Sequence, residues 1–136
     1  MGSKQISHNK VKLVDSAIVT DGDTESSVWY PVDGWVKFRA WVLVKSSGTP
    51  DLLIKIRFSP LHYQVLRDLV TAGTSITTAH YKEYTLEANL AAKILTEWDD
   101  SDDADLRRAA SSAQLVVVGN TGTDDCTVNG YLGSFA

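Results

Sequence analysis

Trp35-Val36-Lys37-Phe38-Arg39-Ala40-Trp41-Val42-Leu43-Val44-Lys45 alternates between two sides. Val36, Phe38, Ala40, Val42 and Val44 fall on one side, and Trp35, Lys37, Arg39, Trp41, Leu43 and Lys45 on the other. A period of two, enriched in β-branched and aromatic residues, marks a strand with one face buried. Ser46-Ser47-Gly48-Thr49-Pro50-Asp51 follows and is built from turn-forming residues. Beyond it Leu52, Ile54, Ile56 and Phe58 alternate with Leu53, Lys55 and Arg57. Two alternating runs joined by a short turn predict a β-hairpin whose apolar sides face one core.

The C-terminal region repeats this design. Gln114 to Val118 is an apolar run, residues 119–125 are turn-forming, and Cys126 to Leu132 returns. The unbroken Leu115-Val116-Val117-Val118 predicts a strand covered on both faces. Val11 to Thr20 and Val28 to Val32 predict further strands, punctuated by Asp21-Gly22-Asp23-Thr24. In the middle, His62 to Val70 and Ser75 to Thr78 suit strands on either side of Thr71-Ala72-Gly73-Thr74. From Tyr84 to Trp98 two patterns compete. Leu86, Leu90, Ile94 and Trp98 recur at helical spacing, whereas Tyr84-Thr85-Leu86 and Ile94-Leu95-Thr96 have strand composition. The expectation is an all-β, two-sheet antiparallel β-sandwich, with room for one short helix over 84–96. Residues 10–136 are expected to form one domain, preceded by a flexible polar arm at 1–9.

The 136 residues suit a single domain, and the 43% hydrophobic and 22% charged fractions are those of a globular chain. A formal charge of −4 provides no general attraction to nucleic acid or to acidic membranes. Cys126 stands alone, which excludes an intramolecular disulfide and fits a small buried side chain. Met1 to Lys10 lacks the apolar stretch of a signal peptide, and no run approaches the roughly 18 apolar residues of a membrane helix.

Motifs for catalysis are missing. His8, His62 and His80 lack the spacing of a zinc site, and neither a GxSxG elbow nor a phosphate-binding loop occurs. The expectation is a protein that is not an enzyme and takes no metal or cofactor. The acidic run from Glu97 to Asp105 places Asp99, Ser101, Asp103 and Asp105 at alternate positions, like the first half of a calcium loop. Ala104 and Ala110, however, stand where such a loop requires glycine and a bidentate glutamate. A solvated acidic loop, or one that pairs with a basic surface, is the better expectation.

Such a surface follows from the hairpin. If its apolar side is buried, Trp35, Lys37, Arg39, Trp41, Lys55 and Arg57 share the opposite face. Aromatic residues and arginine are enriched at interface hot spots, and exposed tryptophans also stack on sugars. The alternative is that a second layer covers this face, with the Lys and Arg stems lying over the indoles. Asp99, Asp100, Asp102, Asp103 and Asp105 are the complementary acidic partner, within one copy or between copies.

The turn Ser47-Gly48-Thr49-Pro50, the strand ending in Phe58-Ser59-Pro60, and the late Leu115-Val116-Val117-Val118-Gly119-Asn120-Thr121-Gly122 together resemble small β-sandwich virion proteins of tailed bacteriophages. The likeness is to capsid decoration (cement) proteins and covers roughly a third of the chain. Leu61-His62-Tyr63 after Ser59-Pro60, and the acidic run, depart from that pattern. The resemblance implies a jelly-roll-like sandwich that forms homo-oligomers, a trimer above all, and binds a capsid protein. It also implies a virion structural protein, made in the host cytoplasm, that binds and stabilises the head shell. The alternative function is a carbohydrate-binding module presenting Trp35 or Trp41 to a glycan. Neither nucleic acid nor membrane is an expected partner.

Overall fold

The computed structural model of the chain describes residues 7–35, 37–91, 93–99 and 110–135. Among these, β1 (Ser7–Val19), β2 (Thr24–Ser26), β3 (Tyr30–Pro31), β4 (Lys37–Lys45) and β5 (Leu52–Ser59) come first. They are followed by α1 (Tyr63–Thr71), β6 (Lys82–Leu90), β7 (Ile94–Asp99), β8 (Ser112–Gly119) and β9 (Cys126–Phe135). One sheet has the order β1-β9-β4-β7 and the other β2-β8-β5-β6, with β3 following β2 along the same edge of β8. All the pairings are antiparallel. The chain crosses between sheets at every step except β2 to β3 and β5 to β6. This is the path of a jelly-roll sandwich.

The alternation predicts the buried faces of β4 and β5 correctly but not their neighbours. Phe38, Ala40, Val42 and Val44 are buried on β4, and Leu52, Ile54, Ile56 and Phe58 on β5. The two strands do not form a hairpin. β4 pairs with β9 and β7, β5 pairs with β8 and β6, and the apolar faces meet across the core. The expected C-terminal hairpin is corrected in the same way, because β8 and β9 also belong to opposite sheets. The physical reason lies in the two connecting loops, which bond to each other and form a corner. Thr49 N donates to Asp124 Oδ2 (2.8 Å), and Asp51 N donates to Thr123 Oγ1 (2.7 Å). Asn120 N donates to the Asp51 carbonyl (3.0 Å), and Ser46 Oγ to the Asp125 carbonyl (2.9 Å).

Three local expectations are also corrected. His62 to Val70 is not a strand: residues 63–71 form α1, with Leu66 fully buried and Tyr63 and Leu69 partly buried at helical spacing. Ser75 to Thr78 is irregular. Among the described residues of 84–96 there is no helix; β6 and β7 run there, and the four-residue spacing of Leu86, Leu90 and Ile94 spans two strands of different sheets. β6 is fixed by its ladder to β5, with Tyr84 opposite Ile56 and Thr85 opposite Lys55. At the N-terminus, β1 begins at Ser7, inside the segment expected to be an arm, and residues 1–6 lie outside the described set.

An aromatic chain runs through one half of the core. Tyr30, Trp35, Phe38, Phe58 and Tyr84 contact one another in sequence, and the Phe38 and Phe58 rings meet edge-on at 4.8 Å. Fully burying each such apolar side chain contributes roughly 1.5–3 kcal/mol. Phe58→Ala is expected to cost about 3–5 kcal/mol in urea unfolding through the cavity it leaves. A loss below about 1 kcal/mol would mean that the two sheets do not meet at this contact.

Candidate functional site

The structure does not bring the six predicted face residues together. Because β4 and β5 lie in opposite sheets, their outward sides face opposite directions. Trp35 is not on either outer face. A tight turn in which Trp35 N donates to the Val32 carbonyl (3.1 Å), with Gly34 at φ 82°, returns it to the core at 8% exposure. Lys37 is placed by its backbone, opposite Phe135. Arg39 and Trp41 are partly buried on the β1-β9-β4-β7 sheet, and Lys55 and Arg57 on the other.

On the first sheet Trp41 lies opposite Tyr131 of β9, which in turn lies opposite Lys12 of β1. Lys10 Nζ sits 5.7 Å from the Trp41 ring centre and 5.4 Å from that of Tyr131, and Lys12 Nζ sits 5.5 Å from Tyr131. Lys12 is also paired with Asp15 at 3.1 Å. Ammonium groups therefore lie over the aromatic surface on which a sugar ring would stack and compete for it. Of the acidic run, Asp99 closes β7 opposite Arg39. Asp100, Asp102, Asp103 and Asp105 lie outside the described residues. Among the described residues no three His, Cys, Asp or Glu side chains gather in a way that could hold a metal ion. Cys126 is buried, its thiol donating to the Val19 carbonyl (3.6 Å), and burial followed by the charge of Asp125 pushes its pKa up.

On the second sheet the two basic residues form a network. Arg57 Nε donates to Glu83 Oε2 (2.7 Å), Lys55 Nζ lies 3.2 Å from Glu83 Oε1, and Arg57 Nη1 donates to Gln114 Oε1 (3.0 Å). Burial pushes the Glu83 carboxyl up, but hydrogen bonds from Arg57 and Lys55, and their charges, outweigh it and hold the group below its ordinary value. The Arg57 guanidinium stacks 4.5 Å from the Tyr81 ring, and Tyr81 packs on Trp29 at 5.8 Å. A predicted interface residue therefore serves as support for an aromatic pair.

Trp29 of that pair lines a groove of about 590 Å³. Val28, Trp29, Tyr30 and Pro31 form one wall, and Tyr63, Arg67 and Val70 of α1 form the other. Val28 and Val70 are 70% and 58% exposed, which places apolar surface in water on both sides. The Arg67 guanidinium lies 5.7 Å from the Tyr63 ring centre, one helical turn away. The strand expected over His62 to Val70 hides this groove from the sequence, because only a helix there sets Tyr63, Arg67 and Val70 beside Trp29. Tyr63 and Arg67 at helical spacing, and the aromatic run Trp29-Tyr30, were the available signals.

No protein-family model, curated protein or solved structure matches this chain.

Glu83→Gln tests the supporting network. A carboxyl held below its unfolded value of about 4.3 contributes stability above that pH, and this is lost as pH falls through the folded-state value. E83Q is expected to lower stability near neutral pH by about 1 kcal/mol or less. Its urea midpoint should also vary less than that of the unsubstituted protein between about pH 5 and pH 3. Parallel acid profiles for the two proteins would contradict the network.

Proposed function

We propose that this protein is a non-enzymatic virion structural protein, a decoration protein that binds a capsid shell and stabilises it. The observation that carries the proposal is the exposed apolar and aromatic groove between α1 and the β2–β3 edge. The described interior is filled by Phe38, Phe58, Leu115, Leu132 and their neighbours, so recognition falls to the outer surfaces. A groove that combines Trp29, Tyr30, Tyr63 and Arg67 with exposed valines has the composition of a protein interface. The jelly-roll path, an architecture used by viral capsid domains, supports the reading, as does the sequence resemblance. Jelly rolls also occur in lectins, so the path alone does not separate the two readings.

In this proposal neighbouring copies bury the groove at their junctions on the shell, and attachment at several points gives an avidity that no single contact provides. The glycan alternative is weaker on two counts. Trp35 is buried, and Trp41 is capped by Lys10. The groove's polar groups are Arg67, the Trp29 indole N–H and the hydroxyls of Tyr30 and Tyr63, among exposed valines that favour an apolar protein contact.

Light scattering after size exclusion, combined with mobility in polysaccharide gels, tests the proposal. The expected result is a stable trimer that polysaccharide does not retard. A Val28→Asp, Val70→Asp double variant should be a folded monomer, since both side chains are exposed in one copy. A monomeric parent protein that polysaccharide retards would overturn the proposal.

A further inference from the structure

Residues paired across neighbouring strands stand side by side, so the outward face of the β1-β9-β4-β7 sheet is laid out in rows. One row runs Trp41, Tyr131, Lys12, and the next sets Leu43 between Ile94 and Asn129. A third runs Lys45, Thr127, Ile18. Val42 and Val44 alternate with these residues along β4 and are buried, so the rows point away from the core. Neighbouring rows are two residues apart along β4, about 7 Å, and the outer two are about 14 Å apart.

The rows differ in chemistry. Leu43 and Ile94 in the middle are 40% and 58% exposed, which places a band of apolar surface in water. At one side of the band, Lys10 Nζ hangs over the Trp41 and Tyr131 rings and Lys12 Nζ over Tyr131. An aromatic face attracts an ammonium through its ring cloud and leaves N–H donors for a carboxylate. Lys12 already answers Asp15, so Lys10 is the donor on offer. At the other side Lys45 is exposed, in a row that ends at Ile18 and beside a depression that Asp125 also lines. Cations therefore flank an apolar band on a chain whose formal charge is −4.

We propose that this face docks an extended, acidic segment of another protein, with carboxylates at positions i and i+4 and an apolar side chain at i+2. An extended chain turns alternate side chains to one surface and advances about 3.4 Å per residue, so those three positions match the three rows. The first carboxylate meets Lys10, the apolar side chain lies on Leu43 and Ile94, and the second carboxylate meets Lys45. A nucleic acid is the poorer fit, because its regular charges bring no apolar side chain to Leu43 and Ile94. The same ammonium group that competes with a stacked sugar above Trp41 favours a carboxylate there. The groove lies along β3 of the other sheet, so one copy can use both surfaces. Placing the acidic segment on a shell protein rests on the function proposed above; the docking itself does not.

Titration of the isotope-labelled full chain with the synthetic peptide GSETLTESG, followed through amide chemical shifts, tests the docking. Leu43, Lys45, Ile94, Asn129 and Tyr131 are expected to shift, while Trp29, Tyr63 and Val70 at the groove stay in place. A Lys10→Glu, Lys45→Glu double variant should fold, since both side chains are exposed, and should bind about tenfold more weakly. The neutral peptide GSQTLTQSG should lose a similar factor, and added salt should weaken the acidic peptide alone. Unmoved amides on this face would overturn the docking, as would shifts confined to the groove or a double variant that binds as tightly as the parent. Tighter binding of oligothymidylate at the same amides would overturn it in favour of a nucleic acid. A trimer that ignores the peptide strikes the docking and leaves the assembly reading, whereas a monomer that binds it does the reverse.

Discussion

The edge-on contact between Phe38 and Phe58 joins the two sheets at the point where the sequence is most strongly patterned. Each ring is fully buried on a strand whose other face is polar or partly exposed. Two such strands can hide their apolar sides by lying edge to edge over a third layer or by facing each other. This chain faces them. The choice then propagates: β9 and β7 flank β4, β8 and β6 flank β5, and the loops after β4 and β8 must both span the thickness of the sandwich. Their mutual hydrogen bonds, through Thr49, Asp51, Asn120, Thr123 and Asp124, make the corner a single structure.

Period-two alternation reports which side of a strand is buried, and on that point the sequence was legible throughout β4, β5 and β8. It carries no information about which strand lies alongside. Ser47-Gly48-Thr49-Pro50 turns the chain equally well in a hairpin and in a sandwich corner; what distinguishes them is Asp124, some 75 residues away. The sandwich corner therefore also rearranges the candidate site. Residues expected on one face divide between opposite sides, and Trp35 drops into the core because the Val32 to Trp35 turn ends the alternation before β4 begins. The helix at 63–71 is hard to read from the sequence for a related reason. Nine residues after Ser59-Pro60 hold a single fully buried side chain, Leu66, and the cap that starts them is a histidine rather than one of the usual N-cap residues.

The basic residues illustrate how a charged, aromatic composition can mislead. Lys55 and Arg57 answer Glu83, and Lys10 and Lys12 lie over Trp41 and Tyr131. These are internal arrangements that stiffen the outer faces of the sheets. Apolar surface left in water carries more weight for function, and it gathers where α1 stands beside the β2–β3 edge. In the proposed role this groove acts as the contact surface, and Arg57, stacked on Tyr81, supports Trp29 at its border.

Hydroxyl-radical footprinting of the assembled protein against a dilute, dissociated sample tests the central claim most directly, because aromatic side chains report their own exposure. If the groove is the contact surface, Trp29, Tyr30 and Tyr63 become protected on assembly while Trp41 and Tyr131 react as before. Protection of Trp41 and Tyr131 with an unchanged groove would contradict the account and move the interface to the opposite sheet.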